Sequence, residues 1–325
     1  MRSRPFFLQL LHDTMVTCLA LFKITLPISA VTQLLVQRGA MDLIGQILAP
    51  LMGVFGLPGE MGLVWGSAML TNLYGGLSVF ATLPAAGELT VAQISVLTTM
   101  MLMAHGLPVE MSIARKAGVR LRCSLVIRLG GAVIAGVCLH LLYRYSGWLA
   151  DPNRALWQPP PVTEGWQAWL IGQGHNLLSI TVIIFALLLV MRILEAIGVI
   201  GWLTGSLRPF LRLLGISPAA APVTMIGMFL GLSYGGGLII QEAHSGRLPI
   251  RDVALSLSFM GLCHSLVEDS LLMAVVGGHW SAILVGRIIV SISVIVALQR
   301  VLERLPALWL QRHVYAVKSR TEPAD

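Results

Sequence analysis

Ala104-His105-Gly106-Leu107 and Cys263-His264-Ser265-Leu266 each set a histidine inside an otherwise apolar stretch, and the two histidines stand 159 residues apart. Their surroundings match at nearly the same offset. Tyr74-Gly75-Gly76 returns as Tyr234-Gly235-Gly236, Gly87-Glu88-Leu89 as Gly246-Arg247-Leu248, and Arg128 as Arg287. Glu110 falls on Asp269, and Pro50 and Gly56 fall on Pro209 and Gly215. So many coincidences at one spacing read as a duplication, the arrangement from which many transporters are built.

The solvent of such a chain follows from its composition. Its 325 residues are 56% hydrophobic and 11% charged, with a mean hydropathy of +0.82. Soluble domains carry roughly 25% charged residues, so a bilayer is the expected environment. The net charge of +7 does not point to nucleic acid, because the basic residues sit in short connections and tails. Cys18, Cys123, Cys138 and Cys263 lack CxxC spacing and read as packing residues. Met1-Arg2-Ser3-Arg4 resembles the start of a signal peptide, yet no small-residue cleavage site follows. The first apolar stretch is therefore expected to stay as a transmembrane helix.

The expected fold is an all-α integral membrane protein made of two inverted repeats, each of about three transmembrane helices plus one re-entrant or broken segment. The first half offers crossings at 16–37, 61–82 and 123–143, and the second at 177–200, 213–241 and 281–298. The polar-spotted stretches 90–112 and 253–276 are expected to enter and leave on one side. Three crossings per half turn the second half upside down. The corresponding divisions are a cytoplasmic segment 1–15, a first repeat 16–145, a Trp- and Pro-rich extracytoplasmic connector 146–175, a second repeat 176–305 and a cytoplasmic tail 306–325. This arrangement gathers Arg115, Lys116, Arg120, Arg122, Arg208, Arg212 and the basic tail on one side, with Arg38, Arg144, Arg154, Arg247 and Arg251 opposite. Positive charge marks the cytoplasmic face, so both termini are expected inside, in the cytoplasmic (inner) membrane.

Ionisable groups within apolar sequence are costly unless paired or wetted, and they mark candidate sites. His105 and Glu110 in one half, with His264, Glu268 and Asp269 in the other, are the leading set for binding or coupling. His264 and Glu268 are four apart and would share a face of a continuous helix. Two imidazoles and several carboxylates suit Zn, Mn or Fe(II), with His105, His264 and Glu268 as candidate ligands. No motif implies another cofactor. Asn72, Tyr74, Ser233 and Tyr234 flank the glycine pairs, where an unwound backbone would line a polar site, or small residues would let helices approach. Arg192 and Glu195 are expected to pair, three residues apart. Arg128 and Arg287 are expected to meet the carboxylates or an anionic substrate. No Walker loop or HExxH is present, so enzymatic activity is not expected.

The duplicated halves with their Tyr-Gly-Gly segments, and the run His264-Ser265-Leu266-Val267-Glu268-Asp269-Ser270, resemble the bacterial nucleoside-recognition or Gate-domain membrane proteins. That group includes spore maturation-type proteins and is similar to gate segments of concentrative nucleoside transporters and ferrous iron permeases. The resemblance implies a helical gate between halves and transport of a small polar solute. The expected function is a secondary transporter, with proton coupling through the His and carboxylate set. The solute is nucleoside-like by resemblance, a metal ion by ligand chemistry, or an anionic lipid head group by the arginines. The alternatives are an intramembrane metal-dependent enzyme and a non-transporting subunit of a larger complex. The expected partners are lipid, a polar solute, and a second copy or a membrane subunit.

Overall fold

The protein is described from a computed structural model, over residues 6–157 and 165–315; the side chains of Ser233 and Tyr234 lie outside the description. The first half contains α1 (Phe6–Gln37), α2 (Ala40–Gly53), α3 (Met61–Leu70), α4 (Leu73–Phe80), α5 (Val91–Met103), α6 (Leu107–Lys116) and α7 (Leu121–Ser146). The second contains α8 (Trp166–Ala196), α9 (Val199–Leu213), α10 (Ala221–Leu230), α11 (Leu232–Ser245), α12 (Ile250–Cys263) and α13 (Glu268–Val275). A π-helical turn, Ser281–Gly286, then leads into α14 (Arg287–Arg304), and α15 (Ala307–His313) follows. Among the described residues, six segments are long and apolar enough to cross a membrane: α1, α5 with α6, α7, α8, α12 with α13, and the turn with α14. The protein is an all-α multi-pass membrane protein.

Helix α1 begins at Phe6, ahead of Val16, and α8 begins at Trp166, inside the stretch read as a connector. Arg2 and Arg4, part of the connector (158–164) and the tail beyond Tyr315 lie outside the described residues. At 32 residues and about 1.5 Å per residue, α1 exceeds the roughly 30 Å of hydrocarbon, so it tilts or reaches the head groups.

The duplication is visible in backbone geometry. Gly39 and Gly198, Gly56 and Gly215, and Gly118 and Gly277 all have positive φ, and Gly106 is matched by Ser265 at φ 44°. Equivalent helices run oppositely. Near one end of α1 Ser29 bonds Gln173 at 2.9 Å, and near the other Asp13 pairs with Arg192. Likewise Ser95, early in α5, accepts from the amide of His279, just beyond α13. The halves are therefore related by inversion.

The inside-out arrangement differs from expectation in which stretch turns back. Ser67 Oγ reaches the carbonyl of Gly75 at 3.2 Å, and a Cβ on Gly76 would stand 2.8 Å from that of Ala68. Residues eight apart on a straight helix are about 12 Å apart along its axis, so α3 and α4 form an antiparallel hairpin. Gly227 and Gly235 make the same contact between α10 and α11. Stretches 61–82 and 213–241 are thus the re-entrant elements, while 90–112 and 253–276 belong to broken crossings. The glycines did not mark unwound backbone: α4 and α11 stay helical through them, and the absent side chains let the hairpin arms touch.

This exchange moves Arg247 and Arg251. Arg251 pairs with Glu303 at 2.6 Å at the end of α14, and His244 bonds the carbonyl of Lys116 at 2.9 Å. Both arginines therefore lie at the end that holds Arg115, Lys116 and Arg304, opposite Arg144 and Arg154. At that opposite end, the connector is held by Val91 N to Asp151 O at 2.9 Å and Trp157 N to Val275 O at 3.0 Å.

The two broken crossings form the centre. In the windows of α5–α6 and α12–α13, 78% of residues are buried, against 17–33% for the other four crossings. Those four supply the lipid-facing surface, with Leu19 and Val31 on α1, and Leu178 and Val182 on α8, exposed.

Candidate functional site

The centre is made where two helices fail. Helix α5 stops at Met103, and the chain turns at Gly106 with φ 57°, a left-handed conformation that favours glycine. Pro108 then stands in the first turn of α6. Helix α12 stops at Cys263 and restarts at Glu268, with Ser265 taking the left-handed turn. Each break is pinned by a hairpin: Gly106 N donates to Ala68 O, and Leu266 N to Met228 O, both at 2.9 Å.

A helix end buried in the membrane exposes carbonyls that need donors. Two arginines provide them. Arg128 of α7 donates Nε to Met103 O at 3.1 Å. Arg287 of α14 donates Nε to Leu262 O at 3.0 Å, and its Nη2 to His264 O at 2.8 Å and Leu102 O at 3.2 Å. Arg287 is wholly buried, and its three carbonyl bonds cap the ends of α5 and α12. Arg128 also pairs with Glu110 through Oε2.

Between the breaks stand the histidines. His105 Nδ1 lies 2.9 Å from Met101 O, and His264 Nδ1 lies 2.9 Å from Met260 O. A carbonyl has no proton to give, so each Nδ1 is the donor, and in a neutral ring the lone pair of Nε2 then turns inward. The two Nε2 atoms face one another at 3.1 Å, on the local two-fold relationship between the halves. Glu110 Oε1 is 3.4 Å from His264 Nε2 and 3.9 Å from His105 Nε2; Asp269 Oδ2 is 3.9 Å from His105 Nε2. Both carboxylates lie in the first turns of α6 and α13, where the helix dipole favours negative charge.

The other predicted residues fall in different places. Glu268 is not in the cluster of His105, His264 and Asp269: the chain breaks between His264 and Glu268, so the four-residue rule for one helix face fails and the next residue points inward instead. Arg192 pairs with Asp13 rather than Glu195, which is exposed, because α1 packs against α8. Asn72 caps α4, accepting from Gly75 N at 2.9 Å at the tip of the first hairpin. Tyr74 faces Ile180 of α8 and Leu272 of α13 around a small cavity. Sequence reading missed the hairpins and the anchoring carbonyls of Ala68 and Met228; Asn72 as an N-cap before a glycine was the local signal of a helix start.

A cavity of about 10 Å³ lies beside Glu110 and Arg128, room for about one water. A larger groove of about 730 Å³ runs between the ends of α7, α14 and α15, lined by Arg115, Arg122, Leu298 and Trp309, and touches none of the central groups.

This chain is similar to the uncharacterized membrane protein YvoD of Bacillus subtilis (strain 168), with 28% identity over 268 residues, 80% of this chain and 83% of the relative. No family model matches the chain. No solved structure matches it. The relative is named as a membrane protein, in accord with the six apolar crossings.

Proposed function

We propose that the protein is a secondary transporter of the inner membrane whose central His105–His264 cluster binds a small cation. The observation that carries this reading is the 3.1 Å approach of two Nε2 lone pairs, flanked by Glu110 and Asp269. Two lone pairs repel at that distance unless a cation stands between or beside them. With both rings neutral and protonated on Nδ1, the two Nε2 atoms and the facing carboxylate oxygens are all acceptors.

Transport, rather than a fixed structural ion, is favoured by the surroundings. Inverted repeats meet at broken helices, and two hairpins from opposite ends touch the breaks, the construction that alternating access requires. The space beside the cluster fits an ion or a water, so a nucleoside-like solute is the less favoured substrate of the Gate-type resemblance. The end bearing Arg115, Lys116, Arg247 and Arg304 is taken as cytoplasmic by its positive charge, which puts both termini inside.

Proteoliposomes holding the full chain test the reading, with imposed gradients of H⁺, Na⁺, K⁺, Zn²⁺ or Mn²⁺ and ion-sensitive dyes inside. Saturable entry of one of these above protein-free vesicles is the expected result. No saturable movement of any of them would overturn it.

A further inference from the structure

We infer that His105 Nε2, His264 Nε2, Asp269 Oδ2 and Glu110 Oε1 hold one divalent first-row transition-metal ion, with Zn²⁺ the best fit. This rests on the reading of the cluster as the transporter's cation site and names the cation.

The separations between donor atoms carry the inference. Metal–ligand bonds of about 2.0–2.1 Å in a tetrahedron place neighbouring ligand atoms about 3.3 Å apart. Of the six separations among these four atoms, four are 3.1, 3.4, 3.9 and 3.9 Å, and ligand atoms of His105, His264 and Asp269 all lie within 4.8 Å of one another. Those four bracket that value before any ion has drawn the side chains together. Donor chemistry agrees, since two imidazoles and two carboxylates suit Zn²⁺, Mn²⁺ or Fe²⁺, whereas Mg²⁺ and Ca²⁺ favour oxygen alone.

Outer contacts are those of a metal site. Each ligating histidine of such sites commonly gives its other N–H to a carbonyl, which fixes the tautomer and ring angle, and Met101 and Met260 supply those carbonyls. Glu110 is oriented by Arg128 through Oε2, leaving Oε1 for the ion. Arg287 spends three bonds on backbone carbonyls, so it does not occupy the carboxylates. Asp269 Oδ2 is buried and has no hydrogen-bond partner. A proton shared between the rings would satisfy the two nitrogens but leave that oxygen unpartnered; a metal ion engages all four atoms.

The test uses the purified full chain in detergent, stripped with chelator and dialysed. Zn²⁺, Co²⁺ and Mg²⁺ are then titrated separately. We expect one Zn²⁺ or Co²⁺ per chain, no Mg²⁺ at the same concentrations, and the intense visible absorption of four-coordinate Co²⁺. His105→Gln, His264→Gln and Asp269→Asn should each weaken binding by more than the roughly 10–100-fold that loss of an outer-shell partner costs. A six-coordinate Co²⁺ spectrum in the wild type would overturn the site without recourse to any variant, as would Zn²⁺ binding unchanged in folded His105→Gln and His264→Gln proteins. Absence of transition-metal binding by folded wild type would also overturn it, while saturable H⁺, Na⁺ or K⁺ entry into vesicles would leave the transport reading standing. Tight Zn²⁺ binding with no flux of any cation would do the reverse.

Discussion

Arg287 donates from Nη2 to the carbonyl of His264 at 2.8 Å, so the residue that closes the end of α12 also fixes one of the two central histidines. Removing the side chain leaves three buried carbonyls without donors, at about 1–3 kcal/mol each. Arg287→Met should therefore destabilise the protein by at least about 3 kcal/mol, read as a lower midpoint in detergent unfolding. Arg287→Lys keeps the charge but loses the planar fork, and should recover only part of the loss.

The repeat partner Arg128 divides its guanidinium between Met103 O and Glu110. Glu110→Gln keeps the shape while removing the charge that faces both Arg128 and His264. Breaking a buried ion pair by removing one partner costs roughly 3–5 kcal/mol, and a neutral amide that still accepts from Arg128 should fall below that range in the same unfolding measurement. A loss as large as that of Glu110→Ala would show that the hydrogen bond contributes little.

The hairpin arms depend on missing side chains. A Cβ on Gly76 would stand 2.8 Å from both Ala68 Cβ and Met101 Cε. Gly76→Val should cost about 1–3 kcal/mol or more by overpacking, with early loss of the monodisperse peak in size-exclusion chromatography. Gly66→Ala, where a Cβ meets open space, is the control and should leave that peak intact.

Placement of the membrane ends is open to cysteine labelling in a background without Cys18, Cys123, Cys138 and Cys263. Single cysteines at Arg247 and Arg154, both exposed, should be labelled by a membrane-impermeant maleimide from opposite sides of the membrane. Labelling of both from one side would restore full crossings to stretches 61–82 and 213–241.

Much of this was legible in the residues. The repeat was visible because side chains with a fixed job recur: the histidines at the breaks, the arginines that cap them, and the carboxylates in the next turn. What hydropathy cannot distinguish is an apolar stretch that crosses from one that turns back, since both bury the same residue types; Thr71-Asn72 and Gly231 are short, and the approach of Gly76 to Ala68 and of Gly227 to Gly235 shows the hairpins. Glu268 was preferred over Asp269 as a ligand by a rule for continuous helices, and the chain breaks between the residues that rule joins. Arg192 found Asp13 rather than its sequence neighbour, because long-range packing of α1 on α8 is not written in local spacing.

The central claim is that His105 and His264 act as one site contributed by two repeats. Its most direct measurement is a double-mutant cycle on cation entry into proteoliposomes, comparing wild type, His105→Gln, His264→Gln and the double variant at equal amounts of folded protein. A shared site predicts that each single variant falls to the level of the double. Wild-type entry in either single variant, or losses that multiply as independent effects do, would contradict it.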